Sequence, residues 1–363
     1  MTPSTDLPTS PEPRLLTPSL ASVLTAAQPG LLTGAPHRVY HATGYCNEVL
    51  QVWLCGGDTL VVKRARHDWG APRLRASRLA AGLLRRRTGV LAPCHLDVEE
   101  DSHGRPIEAY WRIPLPTLRE VWPDLPDRAR PQALRSWGAL MRRVHKVKLA
   151  GTGSLESTAC GPHALADFLR AELRDRLVPA LARIWPAALE LASRLTGHVE
   201  DVDAHCAGRP VVLLHNDFHM GNVLCERRPR SIRCVGVIDL ETAWAGPPEA
   251  DVAQVQVLHG GAFGTPLPDG WSAHFLEGYA APLHPTVLSF CRALHRLNLG
   301  YFAATAGWWD HVRDLQAEIV RELESPPLGA SEPGRTSAES ACVPANAARH
   351  SAADRADHRA GST

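Results

Sequence analysis

Near the start of the chain, apolar and polar residues alternate with a period of two along three runs, HRVYHA, NEVLQVWLC and TLVVKRA. That period turns every second side chain to one face, so the runs predict half-buried strands. Gly56-Gly57-Asp58 between the second and third predicts a hairpin turn. A helix is predicted over 72–87, followed by two more strands, LAPCHLDVEE and IEAYWRI, around an Asp-Ser-His-Gly turn. From about residue 127 the period changes. Leu134, Trp137, Met141 and Val144 recur at helical spacing, and residues 163–205 predict one or two further amphipathic helices. A short β patch follows: VVLLHND, then NVLCE and SIRCVGVID around a turn at 227–230. Helices then run to about Glu324, and no internal repeat is visible. The pattern predicts an α+β, bilobal chain: a β-rich N-terminal lobe over 14–113 and a mainly helical C-terminal lobe over 114–324 with an embedded hairpin. Residues 1–13 and 325–363 are small and polar, with no apolar period to pack, and predict disordered tails.

Composition narrows the classes. The 39 basic and 38 acidic residues leave a net charge of +1, which argues against a dedicated nucleic-acid binder. The nine cysteines include no CxxC pair, so neither a disulfide framework nor a zinc ribbon is expected. The N-terminus lacks a signal-peptide pattern, and no apolar run of about 18 residues predicts a membrane span. A cytoplasmic enzyme, monomeric or a weak homodimer, is the expectation. Only Lys63, Lys146 and Lys148 stand beside thirty-six arginines. A lysine inside a strand, as Lys63 is, therefore needs a reason. Lys146 and Lys148 flank a helical pattern and read as solvated.

The chemistry is concentrated in LLHNDFHMGNVLCE. His215, Asp217 and Asn222 form an H-x-D-x-x-x-x-N array between two apolar runs, and VGVIDLE places Asp239 at the end of the hairpin's second strand. Folding the hairpin returns Asp239 beside Asn222. A carboxylate to accept a hydroxyl proton and hard oxygen ligands for Mg²⁺ are what phosphoryl transfer requires. A polar turn closing a hairpin is the plainer alternative. A transition-metal site built on His215, Asp217 and His219 is another, but it lacks a second ligand cluster.

On HNDFHMGN and IDLETAWAGPPEADVA the chain resembles the aminoglycoside phosphotransferase and choline-kinase-like family, whose fold is related to protein kinases. The likeness covers roughly residues 40–300, and its specific part is about forty residues. It implies an ATP-dependent or GTP-dependent small-molecule O-phosphotransferase with a hydroxylated, antibiotic-like acceptor; choline-, sugar- or amino-alcohol-type acceptors stay open. By the resemblance, Asp217 is the catalytic base, Asn222 and Asp239 hold Mg²⁺, His215 braces the loop, and Asp251 is a structural aspartate. Lys63 takes the nucleotide's α- and β-phosphates, Gly44 and Asn47 shape the loop over the nucleotide, and residues 110–113 form the hinge. Glu241 either meets substrate or a second metal, or supports the site.

One departure is plain. Kinase-like folds pair the strand lysine with a glutamate on the following helix, yet no acid lies between Asp68 and Asp97. Either another acid, with Asp68 nearest, orients Lys63, or the pairing is absent, which leaves room for reduced activity or for an inactive kinase-like nucleotide binder. Trp244, Trp271, Trp308 and Trp309 either wall an acceptor site or pack in a core. Asp310, Asp314, Glu318 and Glu322 read as the solvated face of a terminal helix.

Overall fold

The computed structural model describes residues 18–325, apart from 29–31, 33–37, 44–46, 55–56, 68–69, 99, 102, 157–164, 229–230 and 261–266. Five antiparallel strands form the N-terminal sheet: β1 (Arg38–Thr43), β2 (Asn47–Trp53), β3 (Thr59–Ala65), β4 (Cys94–His95) and β5 (Ile107–Trp111), in the order β1-β2-β3-β5-β4. The period of two sorts its faces. Leu50, Val52, Leu60, Val62, Ile107 and Ala109 share one core cluster with Leu20 and Leu24 of helix α1 (Pro18–Ala27). The opposite face carries Val61, Lys63 and Tyr110 into a cleft. Helix α2 (Gly70–Thr88) follows β3, and its Ala76, Ala80 and Leu84 join the core beneath the helical part.

That part begins with the short α3 (Leu118–Val121), closed by a Thr117–Glu120 capping box, and α4 (Arg130–Val144). Trp137 of α4 is fully buried and stacks on Phe218 and Trp271. A small sheet joins β6 (Lys148–Leu149), β7 (Gly153–Ser154), β8 (Val211–Leu214) and β11 (Trp244–Gly246), while β9 (Val223–Arg228) and β10 (Ser231–Val237) form a separate hairpin. Helices α5 (Leu165–Ala171), α6 (Val178–Ile184), α7 (Ala188–Gly197) and α8 (Val199–Cys206) precede β8. They share a second core with α9 (Glu249–His259), α11 (Pro285–Thr305) and α12 (Trp309–Glu324). Helix α10 (Trp271–Tyr279) packs on α4. Among the described residues no helix is long and apolar enough to cross a membrane.

The strand-then-helix order is the one predicted, with local differences. Residues 165–206 hold four helices rather than one or two. Pro179 lacks the N–H that would continue the ladder, and a π-helical turn, Glu172–Leu177, joins α5 to α6; Pro186 then separates α6 from α7. LAPCHLDVEE contributes only the two-residue β4, an edge strand starting directly after Pro93. Asp310 and Asp314 are exposed as expected, but Glu318 and Glu322 of α12 pair with Arg296 and Arg292 of α11. The tails expected at 1–13 and 325–363 fall outside the described residues, except that Ser325 ends α12.

The α4–α10 contact is backbone against backbone. A Cβ on Gly138 would stand 2.0 Å from the Phe275 carbonyl oxygen, and one on Gly278 1.9 Å from that of Arg135. Gly138→Ala must push the helices apart and is expected to cost about 1–3 kcal/mol, read as a lower urea midpoint. An unchanged midpoint would contradict so close an approach.

Candidate active site

Strand β8 delivers the chain to His215, and Asn216 turns it through a left-handed conformation (φ 56°) that asparagine tolerates. Helix α9 then clamps the loop by its backbone. Asp251 Oδ2 accepts the His215 N–H at 2.9 Å and Oδ1 accepts the Asn216 N–H at 2.7 Å. His145 Nε2 meets the same carboxylate at 3.1 Å. One turn later, Gln254 accepts the Phe218 N–H at 2.8 Å and donates to the Asn216 carbonyl at 2.5 Å. Burial opposes the Asp251 charge, but the His145 bond and the backbone N–H groups hold its pKa below the ordinary carboxylate value. The His215 ring is buried and donates from Nε2 to the Ile238 carbonyl at 2.9 Å. It braces one segment against the other.

Asn222 donates its amide to the Asp217 carbonyl at 3.0 Å and to the carboxylate oxygen Oδ2 at 2.9 Å. The bond from Ile238 N–H to the Asn222 carbonyl, 3.0 Å, extends the β9–β10 pairing by one step. Asp239 follows immediately, turned by a φ of 61°. From β3, Lys63 Nζ reaches Asp239 Oδ1 at 2.8 Å and Glu241 Oε1 at 2.5 Å. Asn47 of β2 donates to Glu241 Oε2 at 2.5 Å. Asn47, Lys63, Asp217, Asn222, Asp239 and Glu241 thus line one cleft of about 450 Å³, whose wall includes Tyr110, Arg112 and Ile113.

Electrostatics separates the carboxylates. Burial and the nearby Asp239 charge push Asp217 up to about 6, against the His215 and Asn222 interactions. Burial also acts on Asp239, but the Lys63 ammonium outweighs it and holds that carboxyl low. Glu241 is pushed up by burial despite the same lysine. Burial disfavours the Lys63 charge, yet Tyr110, Asp239 and Glu241 together raise its pKa well above the ordinary lysine value. His219 caps the Gly221 N–H at 3.0 Å, and burial with the neighbouring Arg119 guanidinium lowers its pKa to about 4. It is therefore a neutral ring in the loop turn.

The donor set tests which metal fits. The Asn222 NH₂ is committed to Asp217, which leaves the amide oxygen Oδ1 as the group to face a cation beside the Asp239 carboxylate. These are hard oxygen ligands, and a pair of them with phosphate oxygens suits Mg²⁺. Among the described residues no group of three or more His, Cys, Asp or Glu is arranged to hold a metal by itself, so the transition-metal reading of His215, Asp217 and His219 has no ligand set.

The model of the phosphotransferase enzyme family (APH) matches residues 39–294. The chain belongs to this family. Among solved structures, a thermostable mutant of aminoglycoside phosphotransferase APH(4)-Ia, in ternary complex with AMP-PNP and hygromycin B, aligns with a TM-score of 0.58 at 17% identity, over 87% of this chain and 100% of that one. Wild-type aminoglycoside 2'-phosphotransferase-IIIa in its GDP complex aligns at 0.56 and 16%, over 83% and 96%. Macrolide 2'-phosphotransferase MphH from Brachybacterium faecium aligns at 0.50 and 21%, over 85% and 98%. No curated protein matches the chain. The family and these likenesses give the chain the bilobal, protein-kinase-like fold, β-rich at the N-terminus and helical at the C-terminus.

Of the residues singled out in this phosphotransferase-family sequence, Asn47, Lys63, Asp217, Asn222 and Asp239 meet in the cleft, while His215 lies behind its floor. Gly44 and Asp68 lie outside the described residues. The missing helix acid leaves Lys63 paired with Asp239 and Glu241. Glu241 consequently links β2 and β3 to the loop after β10. None of the four tryptophans is among the described residues lining the cleft: Trp271 is buried on Trp137, Trp244 stacks on Phe168, and Trp308 and Trp309 are half exposed. Arg119, beside His219, and Gln254, on the loop backbone, carry no signal in the linear pattern.

Proposed function

We propose that the chain is a small-molecule kinase transferring the γ-phosphate of ATP or GTP to a hydroxyl of an aminoglycoside or other antibiotic-like acceptor. The observation that carries this reading is the meeting of Asp217, Asn222, Asp239 and Lys63 in one cleft. Asp217 is the base. The acceptor oxygen forms its bond to the γ-phosphorus, the bond to the β,γ-bridging oxygen breaks, and the hydroxyl proton passes to the Asp217 carboxylate. Its raised pKa suits a group that must take up a proton and release it again. Asn222 and Asp239 are the Mg²⁺ ligands, and the ion neutralises charge on the phosphate oxygens when bound. Lys63 supplies a compact cation for the nucleotide phosphates, Asn47 and Gly44 shape the covering loop, and backbone groups of residues 110–113 take the base. His215 and Asp251 position the loop.

In this division of labour the β-rich lobe, 14–113, holds nucleotide and the helical lobe, 114–324, supplies the base and binds the acceptor. Lys63 held in the cleft by two carboxylates, despite the acid missing from α2, supports the active reading over an inactive binder. Hygromycin B in the APH(4)-Ia complex and the macrolide named for MphH set the range of acceptors to try. The test is a nucleotide-consumption screen across hydroxylated antibiotics, nucleosides, sugars and amino alcohols, read by mass spectrometry. The expected result is one added phosphate on an antibiotic-type acceptor, dependent on Mg²⁺. Failure to bind either Mg²⁺·ATP or Mg²⁺·GTP would overturn the reading.

A further inference from the structure

Behind Lys63 lies a carboxylate that none of these roles uses. Glu108 of β5 is the register partner of Lys63 on β3, so both side chains leave the same face of the sheet. Glu108 is 0% exposed. Its Oε1 accepts Ser77 Oγ of α2 at 2.6 Å and also meets His95 Nε2 of β4. Its Oε2 is buried with no hydrogen-bond partner. Leaving one oxygen of a buried carboxylate unmatched is costly, and such a group calls for a reason.

Ser77 stands on the α2 face that meets β5. The helix has no acid between Gly70 and Thr88. Its hydroxyl is too short to replace one, and it donates to Glu108 instead. Charge counting points the same way. Glu108, Asp239 and Glu241 all act on the one Lys63 ammonium, so the group carries an excess of negative charge. A divalent cation on Asp239 gives that carboxylate a second positive partner beside Lys63. It also draws Asp239 away from Lys63, and an ammonium has three N–H donors to redistribute.

We propose that Glu108 is the positioning carboxylate of Lys63, standing in for the absent acid of α2, and that Lys63 moves from Asp239 and Glu241 toward Glu108 Oε2 when Mg²⁺·nucleotide fills the cleft. This rests on the phosphotransferase reading of the site. Glu108 touches neither nucleotide nor acceptor and acts through Lys63.

Glu108→Gln keeps the shape and an acceptor oxygen for Ser77 and His95 but removes the charge. The expected result, by calorimetry with Mg²⁺·AMP-PNP and then Mg²⁺·GTP, is affinity weakened about tenfold, as for a lost close charge pair, with little change in melting temperature. Adding Ser77→Glu to that variant returns a carboxylate from the helix and is expected to restore most of the binding, which a purely structural Glu108 would not allow. Ser77→Ala removes an anchor and keeps the charge; it is expected to lower the melting temperature and leave affinity within about twofold. Equal binding by native chain and Glu108→Gln would overturn the proposal alone. So would a Mg²⁺·AMP-PNP complex with Lys63 Nζ still on Glu241 and beyond about 4 Å from Glu108, the ordinary ion-pair limit. A native chain that binds neither probe would overturn the phosphotransferase reading, and this proposal with it.

Discussion

Asp217→Asn is expected to lower phosphate transfer about 10²–10⁴-fold, the usual contribution of a general base, while nucleotide affinity stays near the native value. The asparagine has the same shape, and its amide oxygen can keep the bond that Asn222 Nδ2 now gives to Asp217 Oδ2. It has no basic oxygen to take a hydroxyl proton. Lys63, Asn47 and Asp239 belong to other elements, and their mutual contacts through Glu241 do not pass through Asp217. The loss should therefore fall on kcat rather than on binding. Single-turnover transfer with the responsive acceptor, alongside calorimetry of Mg²⁺·nucleotide, separates the two. Transfer within tenfold of native in this variant would sink the base assignment. A variant that transfers nothing because it no longer binds nucleotide would show that Asp217 shapes the cleft instead.

That Asp217 was legible in the sequence, and Glu108 was not, has a physical cause. Asp217 and Asn222 are five residues apart in one loop, so their bond is local and their spacing alone brings them together. Asp239 was reachable through a hairpin, whose pairing rule returns the chain to its start. Lys63 stood out because arginine fills nearly every other basic position. Its pairing with Glu241, in contrast, spans 178 residues, and nothing in the linear pattern encodes such a contact. Glu108 alternates with Ile107, Ala109 and Trp111 and reads as one polar position in a half-buried strand, although the structure buries both faces. The missed elements fail for a similar reason. Strands β6, β7 and β11 are two or three residues long and have no period to detect. Helix α1 is fixed by Leu20 and Leu24, which find their partners only once the sheet exists. Four helices between 165 and 206 could not be counted because Pro179 and Pro186, rather than apolar period, mark two of the breaks, and α7 passes into α8 at His198 with no proline to mark it.

Asp251→Ala should be the most destabilising single substitution at the site. The carboxylate is 0% exposed and accepts from the His215 and Asn216 N–H groups and from His145 Nε2. Truncation strands those donors inside the protein, and the His145 ring keeps only its contact with Tyr279 at 3.0 Å. Breaking a buried charged network of this kind costs about 3–5 kcal/mol, a fall in Tm of roughly 6–15 °C for a domain of this size. Asp251→Asn should recover little, because its NH₂ would face donors. The pH dependence separates this carboxylate from a mere cavity. Folding lowers the Asp251 pKa below its ordinary 3.8, so its contribution is complete above that value and lost as pH falls through the folded one. The native chain should therefore lose stability on acidification that the alanine variant no longer has to lose, and the gap between their Tm values should narrow below about pH 4. A constant gap would assign the loss to packing. A Tm within about 2 °C of native at neutral pH would mean that α9 does not hold the Asp217 loop through this residue.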